Sequence, residues 1–185
     1  CKGMSEHTDI GRLVSTGERE LFPGDDGVGV DVTIALIDCG AKKSIVDSLN
    51  ERGADVHVLP YDATPADVDD VDPDVLFISN GPGDPENFEA AESLVDSYVG
   101  DLPIAGICLG QQVVANALGG ATEKMTFGHR GVNQPVRDLR TDKVVMTTQN
   151  HGYSVADPGD LDVTQVNVND DTAEGLESEE LGIIT

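Results

Sequence analysis

Residues 75–118 read VLFISNGPGDPENFEAAESLVDSYVGDLPIAGICLGQQVVANAL, and this stretch decides the fold. It opens with an apolar run at 75–79 that stops at a Gly/Pro-rich turn. From about 87 to 99, Phe88, Ala91, Leu94, Val95 and Tyr98 recur at helical spacing. A second apolar run, 104–107, leads directly into a helical pattern over 109–118. Short, continuously apolar strands are those buried on both faces of a parallel sheet, and their alternation with helices predicts a doubly wound α/β architecture.

The same unit extends upstream. Val32, Thr33, Ile34, Ala35, Leu36 and Ile37 form the expected first central strand. A helix over 41–52 follows, carrying Ile45, Val46 and Leu49 on one face and stopping at Gly53, and then a strand over 55–59. Downstream of Gly119 and Gly120 the helical period disappears. Runs of β character at 134–138, 143–149, 162–168, 173–176 and 181–185 predict an antiparallel extension sharing the edge of the sheet. The expected fold is therefore α/β, a mostly parallel doubly wound sheet with helices on both faces and an antiparallel extension. Residues 1–30 are polar and Gly-rich, with a turn cluster at Pro23, Gly24, Asp25, Asp26 and Gly27, and read as a linker tail from an upstream domain. Residues 31–185 read as one domain. A first residue Cys1 and an ending on the apolar run Leu181, Gly182, Ile183, Ile184, Thr185 suggest a piece of a longer polypeptide, truncated at its C-terminus.

Charge narrows the partners. Eleven Lys and Arg stand against 35 Asp and Glu, a formal net charge of −24, while 38% of the residues are hydrophobic. That combination describes a solvated acidic surface on a folded domain, of the kind salt-loving organisms use, and argues against nucleic acid as partner because phosphates would be repelled. The carboxylates are spread along the chain, which disfavours a localised docking patch for a basic partner. No apolar stretch reaches the roughly 20 residues that a bilayer-spanning helix needs, and there is no signal-like start, so no membrane association is expected. Cys1, Cys39 and Cys108 are too widely spaced for a zinc knuckle or a redox pair, and their odd number disfavours a disulfide framework; the expected compartment is the reducing cytoplasm. No metal site and no cofactor is expected from these spacings.

Chemistry concentrates at Gly106-Ile107-Cys108-Leu109-Gly110, where a buried strand turns straight into a helix. Flanking glycines permit the sharp turn of a nucleophile elbow. Helix N–H groups aimed at the sulfur are expected to favour the thiolate, with the Leu109 N–H available to a developing oxyanion. Cys39 lacks a glycine at the elbow offset and reads as a packed residue. The loop Ser79-Asn80-Gly81-Pro82-Gly83-Asp84-Pro85 is expected at the same carboxyl edge of the sheet as Cys108, either as a helix-capping turn or as an approach of backbone to ligand. His57 sits on the second strand and reads as a satisfied core or edge residue, whereas His129 and His151 fall in loop-like contexts. Gln149-Asn150-His151-Gly152-Tyr153 is compatible equally with a polar ligand site and with a plain turn.

Taken together, the Gly-Pro-Gly-Asp-Pro loop at 81–85 and the Gly-x-Cys-x-Gly-x-Gln elbow at 106–112 resemble the class I glutamine amidotransferases. Asp38-Cys39-Gly40-Ala41-Lys42, Phe127-Gly128-His129 with Asn133 and Pro135, and Gln149–153 are similar to the small subunit of the carbamoyl-phosphate synthetases; the likeness covers roughly residues 12–185. It implies a flavodoxin-like fold and hydrolysis of L-glutamine through a Cys108 thioester. It also implies an oxyanion site from the Gly83 and Leu109 N–H groups and substrate contacts from Gly81, Gln112, Asn150, Gly152 and Tyr153. The ammonia would pass to a large synthetase subunit that uses bicarbonate, ATP and Mg to make carbamoyl phosphate for arginine and pyrimidine synthesis, with no cofactor in this chain. Two departures stand out: Gln111 replaces the His common after the elbow glycine, and the family's His-Pro-Glu motif, source of its general base, is absent from residues 1–185. A glutaminase of anthranilate or GMP synthesis, or a catalytically dead binding module of the same fold, are the alternatives.

Overall fold

The computed structural model describes residues 10–25 and 31–185. Cys1, His7, and the Asp26 and Gly27 of the expected turn cluster lie outside the described residues. In chain order the elements are α1 (Ile10–Val14), β1 (Glu20–Phe22), β2 (Val32–Asp38), α2 (Lys43–Asn50), β3 (Ala54–Pro60), α3 (Pro65–Asp69) and β4 (Val75–Ile78). A 3₁₀ turn at Pro85–Asn87 leads into α4 (Glu89–Tyr98), β5 (Ile104–Gly106), α5 (Leu109–Ala117), β6 (Ala121–Asp138) and β7 (Val144–Asp157). β8 (Asp162–Asn167), β9 (Ala173–Ser178) and β10 (Ile183–Ile184) complete the order.

All strands join one sheet in the order β1-β3-β2-β4-β5-β10-β9-β7-β6-β8. Its centre, β3-β2-β4-β5-β10, is parallel. β1 closes one end antiparallel to β3, and β6 to β9 form the antiparallel extension at the other. Alternation along β2 shows how the layers form: Ala35 and Ile37 face a core built with α3, α4 and α5, while Ile34 and Leu36 face a second core under α2. Helices thus cover both faces, as the apolar runs require. α5 is buried over Leu109 to Ala115, including the polar Gln111 and Gln112, so it is a central helix whose polar positions face an internal feature.

Two expectations change. The N-terminal tail lacks periodicity, yet Ile10–Val14 is a helix and Glu20–Phe22 pairs with Val56 to Val58 of β3. The segments around His129 and His151 are strand, not loop: the two residues oppose each other across the β6/β7 ladder. Register breaks between Lys124 and His129 and between Gly131 and Gln134 isolate this polar stretch from the regular ladder.

Candidate active site

Level strand ends assemble the site. Ile37 of β2 pairs with Ile78 of β4, and Ile78 pairs with Gly106 of β5, so the segments that follow the three strands emerge side by side. This is the carboxyl edge at the point where the strand order reverses, between β2 and β4, the usual ligand crevice of an open α/β sheet. Hydrogen bonds knit the segments together. Asp38 Oδ1 accepts from the Gly40 and Ala41 N–H groups at 2.9 and 2.7 Å. Asn80 accepts from the Lys42 N–H and donates to the Gly40 carbonyl, both at 3.2 Å.

Cys108 sits at φ +57°, ψ −104° between β5 and α5. A non-Gly residue held there is strained, and strain of this kind is sustained only where surrounding packing over-determines it. The packing is visible at Gly110, where an added Cβ would stand 2.1 Å from the Ile78 carbonyl oxygen, so α5 starts flush against β4. Gly81 is equally constrained, since its Cβ would stand 2.1 Å from the Cys39 carbonyl oxygen.

The loops, α5 and β7 enclose a cavity of about 560 Å³. Of the residues expected from sequence, Gly81, Cys108, Gln112, Asn150 and Tyr153 line it; Gly83, Leu109 and Gly152 do not. Gly83 packs on Ile10 of α1, whose Cγ2 lies 2.7 Å from where a Cβ would be. Leu109 is buried, but its N–H is directed at Cys108. Tyr153 donates its hydroxyl to Asp84 at 2.8 Å, tying β7 to the Gly-Pro-Gly-Asp loop. Gln112 Nε2 donates to the Tyr153 carbonyl at 2.8 Å, tying α5 to the same strand. The wall also holds Lys42, Gln111, His151 and Glu174, none of which spacing alone assigned to the site. Glu174 is the clearest case: a single carboxylate on a short strand carries no spacing signal, and only the β7–β9 pairing brings it in.

Burial pushes the Cys108 thiol up from its ordinary value, opposed by the Leu109 N–H and the Lys42 ammonium and reinforced by the Glu174 carboxylate. The Leu109 N–H favours the thiolate as expected, but does not outweigh desolvation in the free protein. Cys39, fully buried beside Asp38, is pushed to about 12 by burial and is an inert packed residue. The His57 Nδ1 is buried and has no hydrogen-bond partner among the described residues, so that ring is not satisfied as expected. Both His151 nitrogens are engaged, Nδ1 with the Tyr153 carbonyl at 2.9 Å and Nε2 with Gln149 Oε1 at 3.2 Å. No imidazole among the described residues is hydrogen-bonded to Cys108.

Comparison with known proteins matches this arrangement to a family. Residues 35–185 match the model of the glutamine amidotransferase class-I family. The chain is 66% identical, over all 185 residues, to the carbamoyl phosphate synthase small chain of Halobacterium salinarum. It is 44% identical over 191 aligned residues, 97% of the chain, to that of Methanococcus maripaludis strain C6. In both cases it spans 51% of the relative's length, so the chain covers about half the length of the curated relatives it matches. Among solved structures, a putative GMP synthase protein from Thermoplasma acidophilum superposes with a TM-score of 0.71 at 21% identity, covering 83% of this chain and 81% of the other. A glutamine amidotransferase from Thermotoga maritima does so with 0.67 at 15%, covering 83% and 73%; at such identities the likeness establishes the fold. By its strand-to-helix elbow at Cys108, its sheet order and its match over most of its length, the chain belongs to the class-I glutamine amidotransferase family.

Proposed function

We propose that this chain is the glutamine-hydrolysing part of a carbamoyl phosphate synthase small chain, with Cys108 as nucleophile. One observation carries the reading: a strained cysteine at the start of a buried helix faces a cavity large enough for an amino acid, in a chain 66% identical to such a small chain. Cys108 Sγ attacks the side-chain amide carbon of L-glutamine. The Leu109 N–H, directed at Cys108, takes the negative charge that develops on the amide oxygen as a preorganised donor, with the Gly83 N–H, next to the cavity-lining Gly81 and Pro82, as the second. The Sγ proton ends on the amide nitrogen, ammonia leaves, and water hydrolyses the thioester to glutamate. Gly81, Gln112, Asn150, Gly152 and Tyr153 hold the substrate.

Proton transfer needs a base. His151 is held by the Tyr153 carbonyl and Gln149, so in this reading the role falls to the imidazole of the family's His-Pro-Glu motif, which residues 1–185 do not contain. The ammonia is delivered to a large synthetase chain that consumes ATP with Mg, placing the reaction at the entry to arginine and pyrimidine synthesis in the cytoplasm of a halophile. No cofactor is assigned to this chain.

A glutamine analogue with an electrophilic diazoketone in place of the amide tests the reading in KCl. Mass spectrometry is expected to find one adduct on Cys108 and none in Cys108→Ser. Adduct formation on Cys39, or none in the wild type, would overturn Cys108 as the glutamine-directed nucleophile and favour a binding module. Glutamine-dependent carbamoyl phosphate formation with the large chain, lost in Cys108→Ser, is the expected result for the assembled enzyme.

A further inference from the structure

At the cavity wall, four acceptor-type groups converge. The Tyr153 carbonyl can only accept, so His151 Nδ1 carries a hydrogen, and in the neutral ring Nε2 presents a lone pair. That lone pair faces Gln149 Oε1 at 3.2 Å and Glu174 Oε2 at 3.6 Å. The Gln149 amide cannot be turned round, because its Nε2 donates to Thr147 Oγ1 at 3.1 Å while that hydroxyl donates to the Gln134 carbonyl at 3.0 Å. Opposite, His129 lies between two carboxylates, with Nε2 2.8 Å from Asp170 Oδ2 and Nδ1 3.0 Å from Glu174 Oε1, so in the neutral ring one nitrogen meets a carboxylate with its lone pair. Asn167 Nδ2 is the donor that faces this group among the described residues. Its two N–H bonds are shared over three long contacts, 3.3 Å to Glu174 Oε1 and 3.4 Å to both Gln134 Oε1 and His129 Nδ1, too few to satisfy the cluster. Something positive belongs at the centre.

We propose that His129, His151 and Glu174 bind one divalent transition-metal ion of the zinc class. Their ligand atoms lie within 4.8 Å of one another. Bonds of about 2.0–2.1 Å in a tetrahedral site place ligand atoms about 3.3 Å apart. His129 Nδ1 stands 3.0 Å from Glu174 Oε1 and His151 Nε2 3.6 Å from the other oxygen, Oε2, close to that value, and the wider separations, up to 4.8 Å, contract on binding. Two imidazoles with one carboxylate select zinc, cobalt or nickel over magnesium and calcium, which prefer oxygen. The outer partners are those a metal-bound histidine needs: a carboxylate on the far nitrogen of His129 and a backbone carbonyl on that of His151, each fixing the tautomer that frees the inner nitrogen. Strands β6, β7 and β9 are pinned together by the same ion. The site lies in the wall of the cavity that Cys108 also lines.

The chelator-treated chain is dialysed against Co²⁺ in concentrated KCl with excess Mg²⁺, which occupies all-oxygen surface sites. One Co²⁺ per chain is expected, with X-ray absorption showing two imidazoles and no sulfur. Asp170→Asn, a substitution at a half-exposed position outside the cavity, is expected to weaken binding about 10- to 100-fold, the usual effect of losing an outer partner. Glu174→Gln abolishes binding while its circular dichroism matches the wild type. No retained Co²⁺ in the wild type overturns the site. A sulfur neighbour moves the metal to a thiol and equally overturns it, as does unchanged affinity in Asp170→Asn.

Discussion

Cys108 shows how a single residue's surroundings divide its chemistry. Its backbone is fixed by close packing, its sulfur is half-buried, and the charges beside it oppose one another: Lys42 favours thiolate and Glu174 disfavours it. Because burial dominates, the free thiol is the resting form, and its reactivity must keep rising with pH and level off only above the ordinary thiol value of 9.0. Iodoacetamide labelling of Cys108, followed by peptide mass spectrometry across pH, is expected to show a midpoint above 9.0. Lys42→Met removes the favourable ammonium and moves the midpoint higher; Glu174→Gln removes a repelling carboxylate and moves it lower. A midpoint below 9.0 in the wild type would mean that the helix N-terminus dominates after all. Tyr153 gives a second test at this scale. Its hydroxyl bond to Asp84 joins β7 to the loop over the cavity, so Tyr153→Phe is expected to cost about 1 kcal/mol in urea unfolding.

Elements differ in how plainly they stand in the sequence, and the reason is burial. The strands β2, β4 and β5 are sandwiched between helices, so their residues had to be apolar on both faces, and the runs at 32–37, 75–79 and 104–107 announced them, while β3 alternates, with Val56 and Val58 buried and Asp55 exposed. β1 is three residues at a sheet edge with Leu21 exposed, and nothing in its composition distinguishes it from a loop. The first half of β6 has no alternation, because most of it is exposed, and Gln149 to Tyr153 read equally as a ligand site or a turn, not as strand, because their polar side chains border a cavity instead of a core. The elbow at Cys108 was legible because its backbone geometry demands glycines; Glu174 and Lys42 were not, because tertiary pairing alone brings them in. That backbone demand is testable. Gly110→Ala drives a methyl into the Ile78 carbonyl and is expected to cost at least about 3 kcal/mol, whereas Gly17→Ala, with open space around it, should stay within about 0.5 kcal/mol. Equal urea midpoints for the two variants would show that α5 is not packed as tightly on β4 as the geometry requires.

Across the whole molecule, carboxylates outnumber basic groups by more than three to one, and the formal charge is −24. Among the described residues, Lys43 with Asp47 and Arg140 with Glu177 are the Lys or Arg ion pairs that form, so most carboxylates are stabilised by water and counterions alone. Compacting such a chain raises its self-repulsion, and the penalty is long-ranged in dilute buffer. Screening shortens that range from about 10 Å at 0.1 M salt to about 3 Å at 1 M. If repulsion is what opposes folding, the thermal midpoint should climb steeply in KCl up to about 1 M, where the screening length falls below the spacing of neighbouring surface charges, and then flatten. NaCl should act like KCl at equal ionic strength, and sucrose should not reproduce the climb. A midpoint that keeps rising well past about 1 M would instead point to ion binding or to salting-out of the two cores, for which a sulfate salt should exceed chloride. A midpoint indifferent to salt would remove the electrostatic argument and leave the acidic surface without an energetic role in this fold.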